Sequence, residues 1–194
     1  MVFIMPVSAI VKYWRQLCLL LLVSTAVQAS NFTILSAQID KIGNDYVLNA
    51  TINYSLSPEV KEAIEHGVPI VFLQQFELIE NTNILGRFWQ WQETLWSTEL
   101  RYELRYHALS QQFILQSIDT GHRRNFLSLD SAVQMIGDID ALSLPSEYLD
   151  DTDDLILQLR SGLDLHALPT PLRPGAVISN NWQLTSSWVI APWP

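Results

Sequence analysis

Residues 46–56 read YVLNATINYSL and alternate in polarity along their whole length. One set of alternate positions is apolar or aromatic, and the other is mostly Asn, Thr and Ser; the first set comprises Tyr46, Leu48, Ala50, Ile52, Tyr54 and Leu56. Successive side chains of a strand point to opposite faces of a sheet, so this stretch predicts a half-buried antiparallel strand. Residues 32–39 are its predicted partner, because residues 41–45 (KIGND) supply turn residues between the two.

Further strands are predicted at 68–79, 95–107, 112–118, 155–165 and around 182–190. In 95–107 the alternation separates aromatic and apolar residues from charged ones. One face carries Trp96, Leu100, Tyr102, Leu104 and Tyr106, and the other carries Glu99, Arg101, Glu103 and Arg105. A helix would scatter the tyrosines, so a strand is favoured, and its charged face discourages edge-to-edge pairing.

Two short helices interrupt the strand pattern. The first is capped by Ser57 and ends near Gly67, and the second begins at Ser128 and ends near Gly137. The acidic residues 138–154 are predicted to be an exposed, irregular connection, and residues 169–174 a proline-bearing loop. Six or seven strands with two short helices predict a mainly β fold, either an antiparallel β-sandwich or a partly open barrel.

The N-terminal segment has the pattern of an export signal. Lys12 and Arg15 precede an uninterrupted apolar run at 17–23, and small residues then favour cleavage between Ala29 and Ser30. Residues 1–29 are therefore predicted to be a signal peptide and residues 30–194 a single periplasmic domain. The alternative is an uncleaved segment that anchors the chain in the inner membrane, and translation could start at Met1 or at Met5.

Cleavage would change the charge and the cysteine content of the chain. Loss of Lys12 and Arg15 leaves nine of the 11 basic residues against all 20 acidic ones, so the formal net charge of −9 becomes −11. Nucleic acid and anionic membrane surfaces are disfavoured as partners, since both require a basic face. Cys18, the one cysteine, leaves with the signal, so the mature domain depends on packing without disulfides. The oligomeric state is left open.

No catalytic residue, metal site or cofactor site is predicted. The four histidines are distant from one another in sequence, and the acidic run 150–154 lacks the Gly and the distant Glu of a calcium loop. No serine lies in a Gly-x-Ser-x-Gly or a Ser-x-x-Lys pattern. His107 is the candidate base if a triad is assembled by the fold, although an exposed or structural role is favoured for it.

Tryptophan is the most distinctive feature of the composition. Trp89, Trp91 and Trp96 lie within eight residues, and the first two follow Arg87 and Phe88. Such a cluster can stack on a sugar, a peptide or a partner protein, which makes Arg87, Phe88, Trp89 and Trp91 the candidate binding patch. Core packing is the favoured alternative, because Trp96 already belongs to the apolar face of its strand.

Several short motifs recur together in one group of exported proteobacterial proteins. They are GVPI at 67–70, FEL at 76–78, RFWQW at 87–91, LRYHAL at 104–109 and LDL at 163–165, followed by 168–169, 171–172, Trp182, Leu184 and 187–188. In these motifs the chain resembles the family of domain of unknown function 4390, apart from Gln90 and Gln92, where aromatic or acidic residues are common. The resemblance implies export, one compact domain and a signalling partner such as a membrane sensor kinase, but no reaction.

Two functions follow as hypotheses. The first is a non-enzymatic binding or adaptor module of the cell envelope, which holds an envelope or membrane protein through the aromatic patch or an exposed sheet edge. The second is an envelope hydrolase whose active site is assembled only by the fold. The first is favoured, because no catalytic motif is present.

Overall fold

The computed structural model describes residues 31–83, 90–149 and 154–194, so the predicted signal peptide and its cleavage site at Ala29 and Ser30 lie outside it. The described residues contain nine strands, three α-helices and two 3-10 helices. In chain order they are β1 (Phe32–Ile42), β2 (Asp45–Tyr54), α1 (Pro58–Glu65), β3 (Ile70–Asn83), β4 (Gln90–His107), β5 (Gln112–Ser117), β6 (Arg123–Phe126), α2 (Leu129–Gly137), β7 (Asp138–Ser143), a 3-10 helix (Ser146–Tyr148), β8 (Leu155–Leu163), a 3-10 helix (Leu165–Ala167), α3 (Arg173–Ile178) and β9 (Val189–Ala191).

The strands form two antiparallel sheets. The smaller sheet has the order β1-β2-β7, and the larger has the order β6-β5-β4-β3-β8-β9. The mainly β prediction is confirmed, and two separate sheets with side chains buried between them correspond to the sandwich rather than the barrel.

The core lies between the two sheets. Of the β2 residues that were predicted to face inward, Leu48, Ala50, Ile52 and Tyr54 are buried and Tyr46 is half-buried, whereas Val47 of the opposite set is buried as well. The ring of Tyr54 meets Phe72 of β3 edge-on at 5.2 Å and Phe32 of β1 at 4.6 Å. This aromatic contact joins the sheets, because Phe32 and Tyr54 belong to the smaller sheet and Phe72 to the larger one.

Both predicted helices begin at their predicted caps. The Ser57 hydroxyl accepts a hydrogen bond from the Val60 amide at 3.3 Å, and the Ser128 hydroxyl accepts one from the Ser131 amide at 3.2 Å. Both satisfy amides that the first helical turn leaves without a partner. Helix α2 then lies against β2 and carries the chain from the larger sheet back to the smaller one.

The prediction for residues 138–154 was wrong over its first part. Residues 138–143 form β7, which pairs with β2. The strand is short and its alternation is broken by a register shift opposite β2 and by Ala141, whose φ is 50°. Backbone pairing along the second edge of β2 therefore defines this strand, and only Ile139 is buried in it.

The predicted last strand at 182–190 was largely wrong. Only β9 pairs with β8, preceded by an isolated bridge between Thr185 and Gly162. Trp182, Leu184, Trp188 and Ile190 do not share a buried face, since Leu184 is buried whereas Ile190 is exposed. Between the Thr185 bridge and β9 the chain is not regularly paired with β8. In this stretch the Ser186 hydroxyl accepts a hydrogen bond from the Ser161 amide at 2.9 Å.

Two further elements were not predicted. Helix α3 begins inside the predicted loop 169–174, and β6 is a four-residue strand at the edge of the larger sheet. Both are too short for hydrophobic periodicity to reveal. Within the described ranges, no helix has the length and apolar character needed to cross a bilayer.

Candidate functional site

The predicted aromatic patch can be placed only in part. Arg87, Phe88 and Trp89 lie outside the described residues. Trp91 lies in β4 and is 56% exposed, a large fraction for so apolar a side chain. Trp96, five residues later in the same strand, is half-buried and packs against the core. Trp91 is thus available to a partner, whereas Trp96 serves packing as its strand pattern predicted.

The backbone around Trp91 is paired on one side only. β3 pairs with β4 along its length, from Ile70 opposite Leu104 to Asn83 opposite Gln90. On the other side of β4, β5 pairs only with residues 102–107. Within the described part of the chain, residues 90–100 therefore have no strand neighbour on that side. We refer to residues 90–100 as the free edge of β4.

The free edge ends where the turn between β5 and β6 meets β4. The Arg101 amide donates a hydrogen bond to the Asp119 carboxylate at 3.0 Å, and the Arg101 carbonyl accepts one from the Ile118 amide at 2.8 Å. Both backbone groups of Arg101 are thereby occupied. A strand rises about 3.4 Å per residue, so the 11 residues before Arg101 expose a row of backbone groups about 35 Å long.

Charged and polar side chains on the outer face of the larger sheet form a chain of hydrogen bonds across three strands. Arg101 donates to Glu99 at 2.7 Å, and the Gln75 amide donates to the other Glu99 oxygen at 2.6 Å. The hydrogen bond from Arg101, followed by that from Gln75, lowers the pKa of Glu99. Arg160 donates to Gln75 at 2.7 Å and lies over the Trp188 ring at 4.5 Å. This ladder ties β4, β3 and β8 together and is structural.

His107, the candidate base of the hydrolase hypothesis, lies at the exposed end of β4. Its Nδ1 is 3.0 Å from the Ser110 hydroxyl and 3.4 Å from the Ser110 amide, across the turn that leads into β5. Both residues are exposed. Among the described residues, no carboxylate is hydrogen-bonded to the ring. The contact closes a turn, and this geometry gives the hydrolase hypothesis no support.

The other candidate ligands are dispersed. Within 31–83, 90–149 and 154–194, no three His, Cys, Asp or Glu side chains converge as a metal site would require. Residues 150–153 of the acidic run lie outside the described part, and the Asp154 carbonyl accepts a hydrogen bond from the Asn81 amide at 2.9 Å. The absence of a metal or cofactor remains a prediction.

A buried polar network between the sheets was missed in the sequence. The Tyr54 hydroxyl is 2.9 Å from the Ser161 hydroxyl and accepts a hydrogen bond from the Gln74 amide at 2.9 Å. The same amide nitrogen donates to the Ile136 carbonyl at 2.7 Å. Burial is the main cause that raises the pKa of Tyr54 to about 12. The signal in the sequence was a polar residue at an inward position of an apolar alternation, as Gln74 is in β3.

The fold and these surfaces define a two-sheet β domain with a buried polar network between its sheets and, among the described residues, a long edge of β4 that has no strand neighbour. The chain belongs to the family described as domain of unknown function (DUF4390), whose family model matches residues 29–191. The resemblance predicted from the sequence is thereby confirmed at the level of the family. No curated protein and no solved structure matches the chain.

Proposed function

We propose that the chain is an exported, non-enzymatic binding module of the bacterial cell envelope. It holds a protein partner by adding a strand of that partner to the free edge of β4. The observation that carries the proposal is that, among the residues that the structure describes, 90–100 pair on one side only, which makes eleven consecutive residues at the edge of a sheet. Main-chain hydrogen bonds to such an edge supply affinity, and side-chain contacts beside it supply specificity.

The free edge has some protection against pairing, from the charges of Glu93 and Glu99 and from one register shift against β3, but it lacks other common devices. Exposed edges are commonly blunted by proline, by lysine or by being very short. Residues 90–100 (QWQETLWSTEL) contain neither proline nor lysine. By contrast, the strands that end the larger sheet are short, with four residues in β6 and three in β9. β1, which ends the smaller sheet, is also 11 residues long, but it contains Lys41, so the free edge of β4 is the favoured place for an added strand.

The chemistry of the edge indicates the kind of partner. Glu93 lies on it, Glu99 is already paired with Arg101 at 2.7 Å, and the chain carries a formal net charge of −9. A neutral or basic extended segment is favoured over an acidic one by this charge. Trp91 supplies an exposed anchor of the type that dominates binding energy at interfaces. The partner that we propose is an extended segment of an envelope or membrane protein, such as the sensor kinase implied by the resemblance.

Export is supported by the sequence of residues 1–29 and by the start of the family match at residue 29, next to the predicted cleavage site. N-terminal sequencing of the protein from cells is expected to find Ser30 first. Met1 or Met5 at the start would instead make the protein an anchored one that faces the same compartment.

Strand addition is tested by site-specific photo-crosslinking in cells. A benzophenone amino acid is placed at Gln92 or Thr94 on the free edge, and at Asn125 in β6 as the matched edge control. We expect one discrete partner adduct from positions 92 and 94 only. The double substitution Gln92→Lys and Thr94→Lys protects the edge and is expected to abolish partner binding, whereas Asn125→Lys leaves it unchanged.

The contrary result is equally clear. A partner that is captured with the same yield by wild type and by the double lysine variant does not bind by strand addition at this edge. Trp91→Ala separates the anchor from the backbone contribution, with an expected loss of at least 1 kcal/mol of binding free energy, about fivefold in Kd or more.

A further inference from the structure

A small pocket lies between the inner face of the larger sheet and the end of helix α2. Its volume is about 270 Å³. Leu100 and Tyr102 of β4 and Leu115 of β5 contribute the floor, while Arg124 of β6, Met135 of α2 and Asp138 at the end of α2 line its sides. Pockets for drug-sized ligands have about 300–1,000 Å³, so this one suits a smaller molecule.

The register of the sheet explains why an arginine faces this pocket. Arg124 is directly opposite Leu115 in the pairing of β5 with β6, so both side chains lie on the inner face. Its neighbour Arg123 is opposite Gln116 and donates a hydrogen bond to that side chain at 2.9 Å on the outer face. The two arginines of one strand thus have different surroundings.

The Arg124 guanidinium has an unusually weak partner. It lies 3.2 Å from the Met135 sulfur, and a thioether is a poor acceptor for a full positive charge. Asp138, which directly follows α2, also lines this pocket, and it lines a second pocket beside Thr51 and Gln134 as well. Within the described ranges, neither Arg124 nor Asp138 forms an ion pair. Two opposite charges therefore line one small pocket without meeting each other.

The floor of the pocket is apolar and partly shielded from water. Leu115 is buried, and Leu100 and Tyr102 are half-buried. Burial, followed by the nearby Asp119 carboxylate, raises the pKa of Tyr102. His122 and the hydroxyls of Ser117 and Thr120 complete the rim on the side of the β5–β6 turn. The pocket therefore combines a cation, an anion and an apolar surface.

We propose that this pocket binds a free α-amino acid with an apolar side chain. Arg124 binds the α-carboxylate, Asp138 binds the α-ammonium group, and the side chain lies on Leu100, Tyr102 and Leu115. Such a zwitterion bridges the two unpaired charges and covers the apolar floor at the same time. A purely anionic ligand would place a second negative charge near the Asp138 carboxylate. A purely cationic ligand would place a second positive charge near the Arg124 guanidinium.

Calorimetric titration of the full-length protein with L-phenylalanine and L-leucine tests the proposal. At least one is expected to bind. N-acetyl-L-phenylalanine, which lacks the ammonium charge, and L-phenylalaninamide, which lacks the carboxylate and mimics a peptide N-terminus, are each expected to bind about tenfold more weakly or worse, as for the loss of one charged hydrogen bond.

Substitutions locate the site. Arg124→Gln and Asp138→Asn are each expected to weaken binding about tenfold or more, whereas the controls Arg123→Gln and Asp140→Asn leave it unchanged. All four side chains are exposed, so folding should not be affected. Met135→Trp, which fills the pocket, is expected to abolish binding.

Three results would overturn the proposal. The first is that neither amino acid binds the wild-type protein at millimolar concentration. The second is equal binding of the N-acetyl compound, which would make the pocket an anion site. The third is equal binding of the amide, which would make it a site for cations or peptide N-termini.

Discussion

Helix α2 can pack against β2 only because its last residue is glycine. A methyl group at Gly137 would lie well inside contact distance of the Ile52 carbonyl oxygen, and 3.6 Å from the Tyr54 ring. Ile52 pairs with Ile34 of β1 in the central strand of the smaller sheet, so its backbone is held by the sheet and cannot easily move aside. The helix would have to shift outward, and Ala132 and Ile136, which it buries, would shift with it.

Gly137→Ala is therefore expected to destabilise the protein, although alanine is the better helix former. The propensity gain is about 1 kcal/mol at most. Overpacking costs about 1–3 kcal/mol, and a rigid backbone obstacle places the cost at the upper end. The net loss is expected to be about 2 kcal/mol. At about 2–4 °C for each kcal/mol in a chain of this size, the melting temperature should fall by about 4–8 °C.

Gly175→Ala is the matched control, because Gly175 also lies in a helix and nothing is within 4 Å of the position of its added methyl group. Urea unfolding of the three proteins is expected to place Gly175→Ala at or slightly above wild type and Gly137→Ala clearly below, with similar slopes. If Gly137→Ala were as stable as Gly175→Ala, the close approach of α2 to β2 would not be a constraint on this fold.

Two further predictions concern the buried network. The pKa of Tyr54 is raised from 10.0 to about 12, so the stability that the neutral hydroxyl contributes is fully present below about pH 10 and is lost as the pH rises towards 12, by up to about 3 kcal/mol. Urea midpoints between about pH 8 and about pH 11.5 should therefore fall less in Tyr54→Phe than in wild type. Parallel pH profiles of the two proteins would contradict this. Gln74→Met keeps the volume but leaves the Ile136 carbonyl and the Tyr54 hydroxyl without their donor, so a loss of about 1–3 kcal/mol is expected by urea unfolding, and an unchanged midpoint would show that the network contributes nothing net.

The elements that the sequence predicted correctly are those in which one face is buried along a whole strand or helix. In β2 the inward residues from Leu48 to Tyr54 are buried, and in β8 Leu155, Leu157 and Leu159 are buried as predicted. Burial of one face of a strand requires apolar and polar residues to alternate, and this alternation is visible in the sequence. The serine caps of α1 and α2 were readable for a different reason, because a cap is a local interaction.

The elements that were missed depend on contacts distant in sequence. β7 exists because β2 offers a second edge, and its own pattern is interrupted at Ala141. In the C-terminal segment, which is not a regular strand, the Trp188 ring lies against the Arg160 guanidinium of β8. Neither partner can be identified from the local sequence, since pairing and stacking partners are set by the fold.

The same holds for the surfaces. The aromatic composition indicated residues 87–91, but the exposed edge depends on how far β5 extends along β4, which no local pattern encodes. The local sequence does not distinguish Arg124 from its neighbour Arg123, although alternation along β6 places the first inward and the second outward. Only the register of β6 against β5 decides which of two adjacent arginines faces the pocket.

The free edge and the pocket have one structural origin. β4 has 18 residues, whereas β5 has six and β6 four, so the larger sheet is narrow along most of β4. Leu100 is the last residue of the free edge and also lines the pocket. The two proposals nevertheless fail separately, because strand addition depends on backbone groups between Gln90 and Leu100, and amino-acid binding depends on the charges of Arg124 and Asp138. Crosslinking from Gln92 should therefore be retained in Arg124→Gln, and amino-acid binding should be retained in the double lysine variant.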